Sequence, residues 1–424
     1  MTGFEALKAE VIEKELCTRC GTCIGVCPVD TLAYKEEKII DEKEGCIRCG
    51  MCSAVCPGKE FPMNEWSEKL FDKEYDASKL FGTYQKIWNA YAVDDEIRSI
   101  GSSGGVITQI LVDLLERNVV EGVVAVRKKK DTPCEFESFI ADDRNQIIAA
   151  AQSKYVILPV NQVIREIRQS GKKVAYVGLP CQIHGMRKAM EKNTWLKEQV
   201  VILIAPFCGF NMEYGATNYL INKSGIRKNE IEELSYRHKK GNDTGFYIRA
   251  KNGKDFFVNK HGYTFLNLIF SPKRCWKCFD YSGEFADISV GDAWDMGQGF
   301  SRVIVRTNTG NDLFESVMAR GMVHAQPADE NAIIKTQNKV VTYKKKQIVL
   351  RKKRMRNFPD YGVEFIPCSG KVQIKGILLY RILAFFKTPV GRHSIPFLPF
   401  KLLVKISEKI KGREVIQVEN KQDI

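Results

Sequence analysis

Eight of the fourteen cysteines in this 424-residue chain fall in two runs of identical spacing, C-x2-C-x2-C-x3-C-P. Cys17, Cys20, Cys23 and Cys27 precede Pro28; Cys46, Cys49, Cys52 and Cys56 precede Pro57. A cubane iron–sulfur cluster needs four thiolates aimed at four corners, and a short loop can wind three of them around it. In two-cluster ferredoxins the fourth cysteine of each run crosses to the other cluster. The spacing therefore predicts one [4Fe–4S] cluster on Cys17, Cys20, Cys23 and Cys56, and a second on Cys46, Cys49, Cys52 and Cys27. Gly21 and Gly50 let the backbone pass close to the sulfides. Each proline ends its loop and fixes the direction of the last ligand. The alternatives fit less well: zinc usually takes two separated pairs, and disulfide frameworks belong to secreted chains.

Four more cysteines sit far from these runs. Cys181 follows the apolar stretch KKVAYVG and Cys208 follows QVVILIAP, with a helical pattern between them. Strand, helix, strand at this spacing predicts a right-handed βαβ unit with parallel neighbours. Both cysteines then lie just past the carboxyl ends of consecutive strands, the edge where open α/β sheets bind ligands. Cys275 and Cys278 form a C-x2-C pair, which alone reads as a redox dithiol or half a zinc site. Added to the two rim cysteines, the pair completes four thiolates. A third [4Fe–4S] site on Cys181, Cys208, Cys275 and Cys278 is expected, against the alternative of four independent cysteines with one dithiol. Cys134 and Cys368 are left over and read as plain buried thiols.

The elements that must position these groups are legible in outline. The fold class expected is an α+β ferredoxin-like two-cluster module, then an α/β domain with a partly parallel sheet, then a basic helical C-terminal region. The boundaries are residues 1–60 for the module, 61–100 for a connector rich in charge and aromatics, 101–330 for the α/β domain and 331–424 for the basic region. GSSGGVITQILVDLLERNVVEGVVAV opens the α/β domain with a helical apolar period and a buried strand, Gly122 to Val126. Ser102 or Ser103 is a candidate N-cap. A helix start of this kind can hold a phosphate, although the full Rossmann fingerprint is missing and plain capping is the simpler account.

Composition sets limits. The net charge of +14 would attract nucleic acid, an acidic lipid surface or an anionic small molecule, and does not choose among them. The charged N-terminus has no apolar h-region, so no signal peptide is expected. No apolar run reaches the length of a spanning helix. Fourteen cysteines without secretory signals point to metal ligation in a reducing compartment, the cytoplasm by default. Lys335 to Arg356 reads as a solvated helix. Residues 376–411 read as amphipathic, resting on a membrane surface, on a partner subunit or on the chain itself. No Walker loop, Ser-His-Asp order or paired-carboxylate signature stands out, and a nucleic-acid binder is the least favoured reading.

Taken in order, the cysteine runs, GSSGGVITQILVDLLERNVVEGVV, AAAQSKYVILPV, GLPCQIHGMRKA, FCGF and RCWKCFDYSGEFADISVGDAW resemble the beta-subunit family of coenzyme F420 hydrogenases and dehydrogenases, over roughly residues 1–330. The coenzyme is a deazaflavin. The resemblance implies FAD in the α/β domain, with contacts at Ser102, Ser103, Gly104, Gly105, Thr108, Ser153, Lys154 and Tyr155. It implies an iron–sulfur flavoprotein oxidoreductase: a deazaflavin exchanges hydride, a cluster takes single electrons, and FAD can do both. Lys154, His184, Arg187, Arg237 and His238 are candidates to steady the anionic tail of the substrate. The expected partners are coenzyme F420 or another small organic redox substrate, and ferredoxin or a redox partner subunit. The rival readings are a ferredoxin-dependent FAD reductase of another substrate and a non-catalytic electron-transfer subunit. No catalytic residue is assigned.

Overall fold

The computed structural model describes residues 2–366 except residue 242, together with Phe385, Thr388, Val390 and Gly391. The amphipathic stretch expected at 376–411 and Cys368 therefore lie outside the described residues, isolated positions aside.

The front module is small. Two of its short helices, Thr22–Gly25 and Met51–Ala54, each follow a glycine in the left-handed region, Gly21 at φ 87° and Gly50 at φ 78°. A hairpin of β1 (Leu32–Lys35) and β2 (Lys38–Asp41) lies between them.

The centre of the molecule is a sheet of eight strands. In chain order these are β3 (Lys86–Ala92), β4 (Gly122–Lys128), β5 (Phe136–Ala141), β6 (Val174–Val177) and β7 (Val200–Pro206). After a separate three-stranded antiparallel sheet of β8 (Ile231–Lys240), β9 (Asp243–Ala250) and β10 (Asp255–Asn259), the chain returns with β11 (Ile288–Asp292), β12 (Ser301–Val305) and β13 (Val323–Pro327). The order across the large sheet is β13-β3-β12-β11-β7-β6-β4-β5. Its four inner strands, β11, β7, β6 and β4, run parallel, and both flanks are antiparallel. The βαβ unit expected from sequence is present as β6, α2 (Pro180–Lys192) and β7; the helix α1 (Val106–Glu116) precedes β4.

Burial explains why the inner strands are nearly continuous apolar runs. Successive side chains point to opposite faces, and here both faces are covered. Ile202 and Ile204 join Val106, Ile110 and Leu114 of α1 in one apolar cluster. Leu203 and Ala205 join Ile183 and Met186 of α2 in the other.

Two stretches differ from the sequence reading. Residues 61–100 do more than connect: Lys86–Ala92 is a sheet strand, paired to β12 and β13, more than two hundred residues away. The basic stretch after residue 331 is not a solvated helix. Helices α3 (Glu330–Val341) and α4 (Ile348–Arg354), with a wide helical turn at Thr342–Lys346 between them, bury Val341, Lys344, Ile348 and Arg351.

Arg306 is the polar pin of this arrangement. It is fully buried and donates to the carbonyls of Phe81 (2.7 Å) and Thr83 (3.0 Å) and to the hydroxyls of Ser282 (2.9 Å) and Ser289 (2.9 Å). Removing the donor strands several buried acceptors at once. Arg306→Met should therefore cost roughly 3 kcal/mol of stability, read as a lowered denaturation midpoint under anaerobic conditions; an unchanged midpoint would mean the acceptors find other partners.

Candidate functional site

The left-handed glycines turn the chain so that the cysteines of each run converge. Cys23 is an electrostatic neighbour of Cys17, Cys20, Cys56 and Cys52, so both runs contribute to its surroundings. Cys52 interacts with Cys46 and Cys49, and Cys27 shares the module's apolar core with it. Backbone N–H groups of Arg19, Gly58 and Phe4 donate to the sulfurs of Cys17, Cys56 and Cys46, each at 3.4 Å. Burial pushes the Cys17 and Cys52 thiols up to about 11 and Cys56 up to about 12. Without a metal cation these sulfurs hold their protons at neutral pH. Among the described residues no three Cys, His, Asp or Glu groups converge on a single metal ion. A cubane asks for something else, four thiolates each on a different iron.

The remaining four cysteines are electrostatic neighbours as well. Cys181 is the second residue of α2, Cys208 lies two residues past β7, and Cys275 sits in the short helix Lys273–Lys277. Cys181 interacts with Cys208, Cys278 and Cys275, and Cys208 with Cys275 and Cys278. The backbone ties them together: the Cys208 N–H donates to Tyr281 O at 2.9 Å, and Cys278 Sγ donates to Asp280 O at 3.4 Å. Burial pushes the Cys208 thiol up to about 12. Cys134 is buried, as expected.

Cys20 and Cys181 are also electrostatic neighbours, because the front module is seated on α2. Asn161 is the joint. Its Nδ2 donates to Thr22 Oγ1 (2.8 Å) and to Gln182 O (2.9 Å), its N–H donates to Cys20 O (2.8 Å), and its Oδ1 accepts from Tyr176. Thr22 Oγ1 in turn lies 3.1 Å from Cys20 Sγ. Glycine is required on both sides: a Cβ on Gly21 would meet Pro159 O at 2.4 Å, and one on Gly185 would meet Thr22 Oγ1 at 2.2 Å.

A cavity of about 1310 Å³ opens along the carboxyl ends of β6, β7 and β11. That is more than the roughly 300–1,000 Å³ of a site for one drug-sized ligand. Of the eight expected contacts, Ser102, Ser103, Gly105, Thr108, Ser153, Lys154 and Tyr155 line it. Gly104 does not: its carbonyl accepts from Ala92 N–H at 2.7 Å, and a Cβ there would meet Ala90 O at 2.6 Å. Neither serine caps α1. The N-cap is Gly105 at φ 74°, with no side-chain bond. Ser102 Oγ instead accepts from Ser153 N–H at 2.8 Å, and Ser103 Oγ pairs with Ser301 Oγ at 2.8 Å. The first turn of α1 thus faces the cavity with uncapped N–H groups, the arrangement that binds phosphate.

One wall is cationic; Arg237 is among the cations expected from the sequence, and Lys260 is the one that is not. Arg237 is buried beside the cavity. Its guanidinium grips Asp292 at 3.0 and 3.1 Å, donates to Tyr155 Oη at 3.1 Å and to Ser102 O, and lies 5.1 Å from the Trp294 ring. Lys260 stands 3.9 Å over the same ring and 3.6 Å from Asp292. Burial alone would raise the Tyr155 phenol, but the Arg237 and Lys260 cations outweigh it and hold it below the ordinary tyrosine value. Burial, with Lys128 nearby, pushes Lys154 down to about 7. The available signal for Asp292 and Trp294 is the GDAWD that ends β11 at the sheet's ligand-binding edge. His184, Arg187 and His238 are not cavity residues. His184 is buried against Phe61 and bonds Asp280 at 2.9 Å, Arg187 pairs with Asp287 at 2.9 Å, and His238 stacks on Tyr247.

Cys208 belongs to both places: it lines the cavity and is one of the four thiols. The fourth side of the cavity comes from α3 and the turn after it, through Val340, Thr342 and Tyr343.

Known proteins are similar to this chain. A family model for the C terminus of the coenzyme F420 hydrogenase/dehydrogenase beta subunit matches residues 171–331; the model for the N-terminal part of the same family matches 87–165; and a 4Fe-4S dicluster domain matches 9–58. The coenzyme F420 hydrogenase subunit beta of Methanothermobacter thermautotrophicus is 27% identical over 259 residues, 59% of this chain and 87% of that protein. The coenzyme F420-dependent sulfite reductase of Methanocaldococcus jannaschii is 27% identical over 336 residues, 76% of this chain and 49% of that protein. A chain of the F420-reducing [NiFe] hydrogenase complex from Methanosarcina barkeri has the same fold, with a TM-score of 0.54 at 22% identity over 67% of this chain and 97% of that one.

The cationic wall is open to a direct test. In ultraviolet difference titration against Tyr155→Phe, the Tyr155 phenol should ionise below the ordinary range of about 10. In Arg237→Met it should ionise at higher pH, because burial is then opposed chiefly by Lys260. An unmoved phenol would show that Arg237 does not govern it.

Proposed function

Because the chain belongs to the coenzyme F420 hydrogenase/dehydrogenase beta-subunit family and carries a 4Fe-4S dicluster domain, we propose that it moves electrons between coenzyme F420 and a one-electron partner. In this reading FAD occupies the cavity, Cys181, Cys208, Cys275 and Cys278 hold a cluster at its wall, and the two front quartets hold the rest of the route. Bound FAD would supply the conversion between hydride and single-electron transfer.

The observation that carries the reading is the double membership of Cys208, which joins the cavity to the four-thiol group. The residues present suit the groups they would hold. The uncapped turn of α1 and the hydroxyls of Ser102 and Thr108 would offer donors to a pyrophosphate. The apolar strand ends offer a floor for a ring system, and Lys260 offers a cation to an acidic tail. On the far side, Cys20 next to Cys181 continues the route into the front module. Its other end is a redox partner, either ferredoxin or another subunit. The proposed setting is the cytoplasm, where thiols stay reduced; among the described residues no helix is long and apolar enough to cross a membrane.

Anaerobic purification with counts of iron, sulfide and flavin, followed by mixing with reduced coenzyme F420, tests this. The flavin absorbance should bleach and then the clusters should reduce. In Cys275→Ser the flavin should still bleach while the front clusters stay oxidised. Protein without flavin, or front clusters that reduce at an unchanged rate in the variant, would sink the proposal. Reduction by ferredoxin but never by the deazaflavin would redirect it to another organic substrate.

A further inference from the structure

The basic segment that follows α3 lies beyond the matched family region, which ends at residue 331. It crosses the loop that carries Cys275 and Cys278 and is bonded to it repeatedly. Arg351 donates to Trp276 O, to Cys278 O at 3.2 Å and to Lys344 O at 2.7 Å. Tyr361 Oη donates to Lys277 O at 3.1 Å and accepts from Arg274 at 3.1 Å. These bonds fix the position of Lys344, which is 2% exposed.

Lys344 Nζ donates to Asp280 O at 3.1 Å. That same carbonyl accepts from Cys278 Sγ at 3.4 Å, so the ammonium and the sulfur share one acceptor. Cys278, Cys208 and Cys275, together with Asp280, lie in the electrostatic reach of the ammonium. The neighbouring carboxylates are committed elsewhere: Asp280 to His184 at 2.9 Å, and Glu284 to Lys345. With Asp280 bonded to His184, the other anionic groups that the Lys344 charge faces are sulfurs.

We propose that Lys344 is the fixed counter-charge of the Cys181, Cys208, Cys275 and Cys278 centre, raises its reduction potential, and is the reason the 342–354 segment is packed there. The inference rests on the reading of that centre as a cluster. Reduction adds one electron and neither makes nor breaks a bond. A cation held close in a low-dielectric interior stabilises the more negative state. The centre at the cavity wall thereby becomes a better acceptor for electrons arriving from the cavity.

The test is a redox titration of the intact, anaerobically purified chain, followed by electron paramagnetic resonance, on wild type, Lys344→Met, Lys344→Gln and Lys344→Arg. Wild type must first give an iron count for three clusters; if it gives two, the proposed function fails before this inference is reached. The expected result is a lower midpoint for one cluster in Lys344→Met and Lys344→Gln, a midpoint near wild type in Lys344→Arg, and unmoved midpoints for the two front clusters. Neutral variants that load three clusters with unchanged midpoints overturn the proposal. So do neutral variants that lose the third cluster while Lys344→Arg keeps it, since the cation would then serve assembly rather than potential.

Discussion

The constraint on which the molecule depends is the burial of sulfur. Thiols taken out of water lose their tendency to ionise, and burial is the largest influence on Cys17, Cys52, Cys56 and Cys208 alike. A thiolate in such a place needs positive charge. In the proposed reading iron supplies most of it, and its arrival would displace protons, so that loading would be linked to folding and to pH. The protein supplies the remainder through sulfur-directed N–H groups and cations seated by distant segments.

The sheet topology turns this constraint into a route. Parallel strands place their carboxyl ends on one edge, so the segments after β6, β7 and β11 gather there although they are far apart in sequence. The same edge offers the cavity on one side and α2 on the other. The front module is seated on α2 through surfaces stripped of side chains at Gly21 and Gly185. Hydride chemistry, in the proposed reading, needs the cavity; single-electron chemistry needs the sulfur groups; the edge is the one place where both can be met.

How much of this can be read from residues follows from how local each feature is. The cysteine runs and the βαβ unit are local patterns, and the partly parallel sheet follows from them. Strand β3 escapes a sequence reading because both its partners lie near the other end of the domain, and its charged, aromatic neighbourhood resembles a linker. Ser102 and Ser103 look like caps because their types are right; the Ser102 oxygen instead accepts from Ser153 and Ser103 pairs with Ser301, contacts that no local pattern announces. Lys335 to Arg356 looks solvated because charge usually is. Lys344 and Arg351 are buried against carbonyls of residues 276–280, and that partnership exists only in three dimensions. His184 looks like a rim group from its place after Cys181, but its ring is spent on Phe61 and Asp280 in the interior.

The close seating of the module has a kinetic corollary. A separate ferredoxin must diffuse, collide and orient before it exchanges an electron, and such encounters are steered by charge and weakened by salt. Here the encounter is permanent, with Thr22 bonded to Asn161 and no room for a side chain to intervene. In the proposed route, transfer between Cys20's group and Cys181's group is therefore a first-order step, indifferent to protein concentration and to ionic strength. Sensitivity to salt would enter only where the chain meets its external partner.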